Sequence, residues 1–500
     1  MVKMLTPHVP YDPTETVQSY ATRLSMLHTG QPAGRLLADC GLKPSRFAAG
    51  HTEDIATFAA AVGEDPKALL AGTVRALSRH NVFRGEDYSR TGLASRVRQF
   101  CPHCLQEDGP PEEWRHRLGW CFGSIVICLK HASTLVEVSQ EGTENIQDAV
   151  DQAGGRELAE MSAVSVNVGR HVTWLHARLG MAQAAGWLEG QSIEQVLNAS
   201  EHLGMVLDHG QDIRPGKLTR LERSAALETG FRIYEQGHDA VYAALSDIRR
   251  KALASAVQAG PFAMYGMLYD WIDRRSQLIA PGQIRTILRE HILDHDAYMQ
   301  GERLLGEVVT ERRLHSVKSL ALTLKVDRRR MSRLMQKLGL VPEGATDAES
   351  GRLVFPVKDV EQLVTDYEDA IPLAKVPEYI GGTQNQTQAL YGAGILPAII
   401  PADAPGAVRG VIFARRVLDD LLAKIDALPM VNDEQRKLSL SVGEACQRHG
   451  GTTDELIAAV LSGKITGLRA RPDPRLDAIR VLVTDVLGYR QKATGDRDSP

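Results

Sequence analysis

Residues 101–131 of the chain read CPHCLQEDGPPEEWRHRLGWCFGSIVICLKH and hold four of its six cysteines. A Cys-x-x-Cys pair opens the stretch and a Cys-x-x-His pair closes it, with 23 residues between them. Each pair can direct two ligands at one ion, and four such ligands complete the tetrahedral shell of a structural zinc site. The spacing therefore predicts one structural Zn²⁺ ion, bound by Cys101, Cys104, Cys128 and His131.

Other interpretations of these cysteines stay open. They are either ordinary buried thiols with a chance Cys-x-x-Cys or a redox pair, although no βαβ pattern surrounds the pair. Three nearby residues are substitute ligands: Cys121, His103 and His116. Cys121 is more simply a core residue, and the isolated Cys40 and Cys446 are interpreted as buried small apolar residues.

The composition is that of a soluble globular protein, with 43% hydrophobic and 24% charged residues and a formal net charge of −4. A length of 500 residues corresponds to about three or four domains. We find no apolar run of about 18 residues and no apolar signal core near the first residue. We therefore expect a cytoplasmic protein, a compartment in which disulfides are rare.

The zinc-like motif and the residues before it resemble the TniQ/TnsD family. CPHCLQED, then a region with tryptophan and arginine, then ICLKHASTLV is similar to that family's zinc motif. VPYDPTETVQSYATRLSMLHTGQPAGRLLADCGL is similar to its N-terminal signature, a Pro-rich start, then Glu-[ST]-x-x-Ser-[WY], then an Arg-Leu helix. The matching residues are Glu15, Thr16, Ser19, Tyr20, Arg23 and Leu24. The resemblance covers residues 7–140 and departs from the pattern at Tyr20, where tryptophan is common, and in VICLKHAS, where proline and glycine are expected.

The resemblance implies a non-enzymatic transposition protein. Family members choose or recognise target DNA and recruit an AAA+ ATPase regulator, TnsC- or TniB-like, which engages the transposase. The expected partners are double-stranded target DNA and that ATPase, with self-association left open, in the bacterial cytoplasm near the nucleoid. Two alternatives remain: a zinc-containing DNA-binding transcriptional regulator, or an adaptor that couples the ATPase to a CRISPR RNA-guided complex.

Residues 311–340 form a basic island, with nine basic residues against two acidic ones. Apolar positions at helical spacing flank a tight turn at residues 325–327, which predicts a helix-turn-helix. Its second helix has one packing side and a polar side suited to the major groove, although a solvated basic helix is the alternative. The predicted DNA contacts are Lys325, Arg328, Arg329, Arg330, Ser332, Arg333, Gln336 and Lys337. The following GATDAESGRLVFPV predicts a hairpin, and hence a wing.

The same order of elements recurs twice toward the end of the chain. LAKVPEYIGGTQNQTQALYGAGILP predicts a second helix-turn-helix with a polar second helix, and amide side chains can bind adenine edges. Its predicted DNA contacts are Gln384, Asn385, Gln386, Thr387 and Gln388. LSLSVGEACQRHGGTTDELIAAVLSGKI predicts a third copy, but residues 452–460 carry no basic side chain, which favours packing over DNA contact. Up to three winged helices in tandem are therefore predicted.

No catalytic residue is predicted. The chain lacks a Gly-x-x-x-x-Gly-Lys-[ST] phosphate loop and a Gly-x-Ser-x-Gly elbow. His291 and His295 share one helical face, but no third ligand can be named, so a metal site there is the weaker interpretation.

The predicted fold class is mainly α and multidomain. Residues 14–40 are expected to form two helices, the first capped by Thr14, and residues 53–80 are expected to continue as helix. The predicted domains are an N-terminal TniQ-like helical domain (1–100), a zinc-finger module (101–140), a helical domain (141–305), three winged helix-turn-helix domains (306–372, 373–430 and 431–490) and a disordered tail (491–500).

Overall fold

The computed structural model describes residues 5–139, 141–155, 158, 161, 164–181, 186–255, 260–275, 278–342, 344–399 and 410–495. The chain divides into two compact units, one of Met1–Ile292 with Arg303–Glu307 and one of Leu293–Glu302 with Val308–Pro500. Both are built mainly from helices joined by short strands, which confirms the mainly α, multidomain prediction. The finer domain bounds stay predictions. No helix in the described ranges is both long and apolar enough to span a membrane.

Five helices open the first unit around a common core: α1 (Val17–Thr29), α2 (Gly34–Asp39), α3 (Pro44–Ala48), α4 (Thr52–Val62) and α5 (Pro66–Ala71). The Thr16 hydroxyl caps α1 by accepting a hydrogen bond from the Ser19 amide, so the predicted cap at Thr14 is wrong by two residues. Gly30 ends α1 in the left-handed conformation, with φ +66°, where glycine meets no Cβ clash.

Strands follow α5 where continued helix was predicted to residue 80. A three-stranded antiparallel sheet contains β1 (Arg75–Ala76), β2 (Asn81–Phe83) and β3 (Glu86–Tyr88). Arg84 and Gly85, both at positive φ, form its two-residue hairpin turn. The next elements are β4 (Gln99–Phe100), α6 (Pro102–Asp108), β5 (Ile127–Cys128), β6 (Ser133–Thr134), β7 (Val136–Glu137) and α7 (Ile146–Gln152). β4 pairs with β7, and β5 pairs with β6, both antiparallel.

A helical region continues the chain: α8 (Arg170–Leu179), α9 (Ile193–His209), α10 (Arg220–Tyr234), α11 (His238–Ser255), α12 (Pro261–Asp270) and α13 (Gln283–His295), then the short strands β8 (Arg303–Leu304) and β9 (Glu307–Val308). Helices α9 and α10 cross closely at two glycines. A Cβ on Gly204 would lie 1.7 Å from the Ala226 carbonyl oxygen, and a Cβ on Gly230 would lie 1.9 Å from that of Ser200. Only residues without a side chain permit this backbone contact.

Three copies of one arrangement fill most of the second unit. Repeat 1 (314–368) contains β10 (Leu314–Ser316), α14 (Val317–Thr323), α15 (Arg328–Lys337), α16 (Asp347–Arg352), β11 (Val354–Pro356) and α17 (Val357–Glu368). Repeat 2 (371–426) contains β12 (Ile371–Pro372), α18 (Val376–Ile380), α19 (Gln384–Gly392), β13 (Ile412–Phe413) and α20 (Arg415–Asp426). After α21 (Asp433–Leu438), repeat 3 (439–495) contains β14 (Ser439–Ser441), α22 (Val442–His449), α23 (Thr453–Leu461), β15 (Gly467–Arg469), β16 (Ile479–Leu482) and α24 (Val483–Gly495).

In each repeat the first strand pairs antiparallel with the strand that precedes the last helix. In each repeat, two helices joined by a turn follow the first strand, as the sequence predicts, and in repeat 1 the helix α16 also precedes the paired strand. The hairpin predicted after α15 is wrong, because this stretch begins the helix α16. Thr346 caps the Glu349 amide, and the Glu349 carboxylate accepts from Thr346 in return. This reciprocal cap is a local signal of a helix start.

The predicted disordered tail at residues 491–500 is wrong in its first half. Residues 491–495 continue α24, and the rest lies outside the described residues.

The repeats of the second unit contact one another through buried side chains and through a backbone hydrogen bond. Repeats 2 and 3 share one hydrophobic cluster, in which Leu390 of α19 and Leu456 of α23 are both fully buried. The link between β15 and β16 also holds the α18–α19 turn, since the Asp477 amide donates to the Gly381 carbonyl at 3.1 Å. Repeat 1 packs around a separate hydrophobic cluster, to which repeat 2 contributes Ile412.

Candidate metal centre and basic helix face

The four predicted metal ligands lie in two backbone turns that the fold brings together. Cys101 is the N-cap residue of α6, and Cys104 lies in its first turn. Cys128 ends β5, and the Ala132 amide donates to the Cys128 carbonyl at 2.9 Å, with Ala132 at φ +48°. His131 lies inside this tight turn. The ligands therefore occupy short, rigid segments.

The ligand atoms are spaced as a tetrahedral ion requires. His131 Nδ1 lies 3.5 Å from Cys101 Sγ and 3.3 Å from Cys104 Sγ. It lies 3.6 Å from Cys128 Sγ, which is also 3.6 Å from Cys104 Sγ. Zinc bound at about 2.3 Å from sulfur and about 2.0 Å from nitrogen separates neighbouring ligands by about 3.5–3.8 Å. The three cysteines are buried and the histidine is half-buried, so the side chains fit a closed, structural zinc site.

Outer residues orient the ligands. His131 Nε2 lies 3.2 Å from a carboxylate oxygen of Glu107, which directs Nδ1 toward the cysteines, as is typical of zinc-binding histidines. Lys130 contacts the same carboxylate at 2.5 Å, and Lys130 and then His131 lower the pKa of Glu107. On the other side Arg117 donates two hydrogen bonds to Asp108, at 2.8 and 2.7 Å. Glu107 was not among the predicted site residues, although it follows Cys104 by three residues on α6 and so shares its helix face.

The thiol environment favours the metal-binding form at Cys101. Hydrogen bonds from Cys104 and Cys128 hold the pKa of the Cys101 thiol below its ordinary value. Ser133 Oγ lies 3.9 Å from the same sulfur. The hydrogen bond with Cys101 in turn raises the pKa of the Cys104 and Cys128 thiols, so the three thiols are hydrogen-bonded to one another. Burial instead raises the pKa of Cys121 to about 12, and Cys121 packs in a separate hydrophobic cluster.

The other candidate ligands lie outside the cluster. His103 is half-buried with its ring centre 5.5 Å from that of His131. His116 is buried, which lowers its pKa to about 3 and keeps its ring neutral. His291 is fully buried, with hydrogen bonds to Ser246 Oγ at 2.9 Å and to the Tyr265 hydroxyl at 2.7 Å, which suits a structural role. Within the described ranges, the four predicted ligands are the one group of three or more His, Cys, Asp or Glu side chains that could hold a metal.

The two remaining cysteines are more exposed than predicted. Cys40 and Cys446 are half-buried rather than fully buried, and each packs at the edge of a hydrophobic cluster.

Residues of the N-terminal signature form an ion pair and hydrogen bonds at the start of α1, some of them to the backbone of His116. We call this group the buried staple. Arg23 binds both carboxylate oxygens of Glu15, at 3.0 and 2.6 Å, and both side chains are almost fully buried. Ser19 Oγ accepts from the His116 amide at 2.9 Å, and the Thr16 amide donates to the His116 carbonyl. A buried ion pair whose partner is removed leaves an uncompensated charge, so this signature supports the fold.

The basic residues of α15 form one exposed face. Asp327 caps the helix by accepting from the Arg329 and Arg330 amides, and Lys325 occupies the preceding turn at φ +51°. The exposed side chains are those of Lys325, Arg328, Arg329, Arg330 and Arg333. Of the other predicted contacts, Gln336 and Lys337 are half-buried and Ser332 is buried. Met331, Leu334 and Met335 face the core of repeat 1.

The polar residues of α19 divide into exposed and internal ones. Gln384, Asn385 and Gln388 are exposed. Gln386 caps the start of α19, because its side-chain oxygen accepts a hydrogen bond from the Thr383 amide at 2.9 Å. Thr387 is fully buried and donates to the Thr383 carbonyl.

Two comparisons with known proteins bear on this geometry. Residues 6–135 match the model of the TniQ family. The matched range includes the buried staple and all four ligands of the metal centre, and it ends before α7. No curated protein matches the chain.

Proposed function

We propose that this chain, whose residues 6–135 match the TniQ family model, is a transposition protein that selects target DNA and recruits the transposition ATPase. It does so as a non-enzymatic adaptor. The second unit binds double-stranded DNA at a target site, and the zinc-stabilised N-terminal region recruits an AAA+ ATPase regulator that engages the transposase.

The exposed arginine face of α15 is the observation that carries this proposal. Arg328, Arg329, Arg330 and Arg333 project from the second helix of a helix-turn-helix whose opposite face is buried. This is the arrangement of a helix that enters the major groove, where arginine binds phosphates or guanine edges. We interpret the three repeats as helix-turn-helix domains in tandem, with β15 and β16 as a wing in repeat 3. The α15 face is the main source of DNA affinity.

Repeats 2 and 3 extend this surface unequally. Gln384, Asn385 and Gln388 are exposed on α19 and can bind adenine edges, whereas Gln386 and Thr387 support the helix itself. Helix α23 buries Leu456 and Ile457 in the core shared with repeat 2 and carries no basic residue. We therefore assign a DNA-reading role to α15 and α19 and a packing role to α23.

The metal centre has a structural role in this proposal. With four protein ligands its shell is complete, so a bound zinc ion would stabilise the fold and leave no position for a substrate. Cys101 and Cys104 on α6 would be tied to Cys128 and His131 on the β5–β6 turn.

The test is a selection of host genomic fragments on the purified, zinc-loaded chain, followed by sequencing. Enrichment of one chromosomal locus is expected, and charge reversal at Arg329 and Arg333 should abolish it. A matched control reverses the exposed Arg436 and Lys437 on α21, which changes the net charge equally and should leave enrichment intact. Enrichment that survives the first double variant would show that α15 does not read DNA.

The ATPase part of the proposal needs a separate measurement. We expect the chain to co-purify with an AAA+ ATPase. This result would distinguish it from a transcriptional regulator, which has no reason to bind such an ATPase. If no locus is enriched but the ATPase still co-purifies, targeting is delegated to another partner.

A further inference from the structure

A cavity of about 510 Å³ lies in the first unit beside the zinc module. Its walls come from α5, the 3₁₀ turn Leu118–Cys121, the turn between β5 and β6, and the end of α8. Its apolar lining includes Ala71, Leu118, Trp120, Leu129, Leu179 and Met181. The volume lies in the range of protein sites that bind a ligand or a partner's side chains.

The rim of this cavity exposes large apolar side chains to water. Met181 is 71% exposed and Leu129 is 37% exposed, and both also line the cavity. Apolar side chains that border a concave apolar surface mark a contact site more often than scattered exposed residues do. A molecule that only filled the cavity would leave much of this rim uncovered, so the occupant is larger than a small ligand.

The charged side chains that line the cavity are all basic. They are Arg84, Arg117 and Lys130, and no Asp or Glu is among the described lining residues. Arg117 is neutralised by Asp108, and Lys130 is neutralised by Glu107. Burial lowers the pKa of the remaining basic group, His176, so that its ring is neutral.

Arg84 is the exception, because its partners are neutral. Its Nε donates to the Ala71 carbonyl at 2.9 Å, and one terminal nitrogen donates to the Leu179 carbonyl at 2.8 Å. The guanidinium also lies 4.9 Å from the centre of the Phe83 ring. No carboxylate within the described part of the chain pairs with it. The terminal nitrogen that donates to Leu179 also lies 3.3 Å from the Met181 sulfur. Because none of these contacts carries a negative charge, this half-buried cation remains available to an incoming anion.

We propose that this cavity docks a protein partner through a segment that carries a large apolar side chain next to a carboxylate. The apolar side chain packs against Leu118, Trp120 and Leu179, and the carboxylate of an Asp or Glu faces Arg84. Met181 and Leu129 cover the flanking residues of that segment. This docking does not require that the second unit bind DNA. It also does not depend on which protein carries the segment.

The test is a selection from a random peptide library on the full-length, zinc-loaded chain. We expect enrichment of peptides in which Asp or Glu lies within a few positions of Leu, Ile, Met, Phe or Trp. Synthetic copies of the enriched peptides, labelled with a fluorophore, then give affinities by fluorescence anisotropy.

Variants at the rim locate the binding site. Met181→Asp and Leu129→Asp place a negative charge where the peptide carboxylate approaches, and each should weaken binding at least tenfold. Leu221→Asp is the matched control, since Leu221 is 42% exposed on α10 of the same unit and does not line the cavity. That variant should bind as the unchanged chain does.

A variant that removes the positive charge of Arg84 tests whether the peptide carboxylate binds there. Arg84→Gln keeps a hydrogen-bond donor and removes the charge, so it should weaken acidic peptides more than the same peptides with Asn or Gln in place of Asp or Glu. The proposal is overturned if no peptide is enriched, if the enriched peptides lack carboxylates, or if Met181→Asp and Leu129→Asp bind as tightly as Leu221→Asp.

Discussion

The exposed arginines of α15 predict how salt weakens DNA binding. Each phosphate neutralised by a basic side chain contributes about 0.9 to the slope of log affinity against log salt. Four exposed arginines, Arg328, Arg329, Arg330 and Arg333, therefore contribute at most about 3.6 to that slope. Between 50 and 200 mM salt, this face alone accounts for an affinity loss of up to about 150-fold.

Neutralising two of these residues should flatten the slope by a defined amount. In Arg329→Gln with Arg333→Gln the slope should fall by up to about 1.8, so the salt-dependent loss shrinks by up to about 12-fold. Fluorescence anisotropy with one labelled duplex, repeated at four or five salt concentrations, measures both slopes. The control Arg436→Gln with Lys437→Gln should reproduce the slope of the unchanged chain.

Coincident log–log lines for the unchanged chain and the α15 variant would refute the reasoning. They would mean that these arginines contact no phosphate. A loss of affinity that is equal at every salt concentration would instead assign them to contacts that release no counterions.

The remaining predictions concern the metal, one helix crossing and pH. Cys101→Ser should lose about one zinc per chain by elemental analysis and lower the unfolding temperature, because structural zinc contributes folding free energy, whereas Cys121→Ser should keep its zinc. Gly230→Ala should lower the free energy of unfolding in urea by about 2 kcal/mol or more, because its Cβ meets the Ser200 carbonyl oxygen, whereas Gly216→Ala, with open space around it, should change it little. Burial opposes ionisation of Glu228, but hydrogen bonds from Arg232 and His171 lower its pKa to about 2. Its stabilising contribution is therefore complete above the unfolded value of 4.5 and disappears as the pH falls toward 2, so unfolding measured from pH 5 to pH 2 should show a smaller loss in Glu228→Gln.

The parts of the structure that could be predicted are those with short-range signals. The cluster of Cys101, Cys104, Cys128 and His131 was predictable because two turns of four residues each fix a pair of candidate ligands, and the structure brings both pairs together. The two helices α14 and α15 were predictable because each has an apolar face at helical spacing and Asp327 caps the second. The reciprocal cap of Thr346 and Glu349 is also a local signal, although GATDAESGRLVFPV was interpreted as a hairpin in place of α16.

Long-range features could not be predicted in the same way. The core shared by Leu390 and Leu456 joins residues far apart in sequence, and no local pattern marks either of them as an interface. The neutral surroundings of Arg84 depend on the carbonyls of Ala71 and Leu179, which the sequence does not relate to it. Such features depend on the tertiary fold. Every residue has a backbone carbonyl, so the sequence does not indicate which carbonyls will contact Arg84.

Repeats 2 and 3 constrain each other's evolution because they fold around one core. Deleting or exchanging repeat 3 alone would expose Leu390 and the α18–α19 turn that the Asp477 amide holds, so the two repeats can be inherited or recombined only as a pair. If the second unit binds target DNA as proposed, a new target preference would instead arise by substitution at exposed positions, such as Gln384, Asn385 and Gln388. Among related chains, sequence variation should therefore concentrate at those exposed positions while the paired interior changes in step.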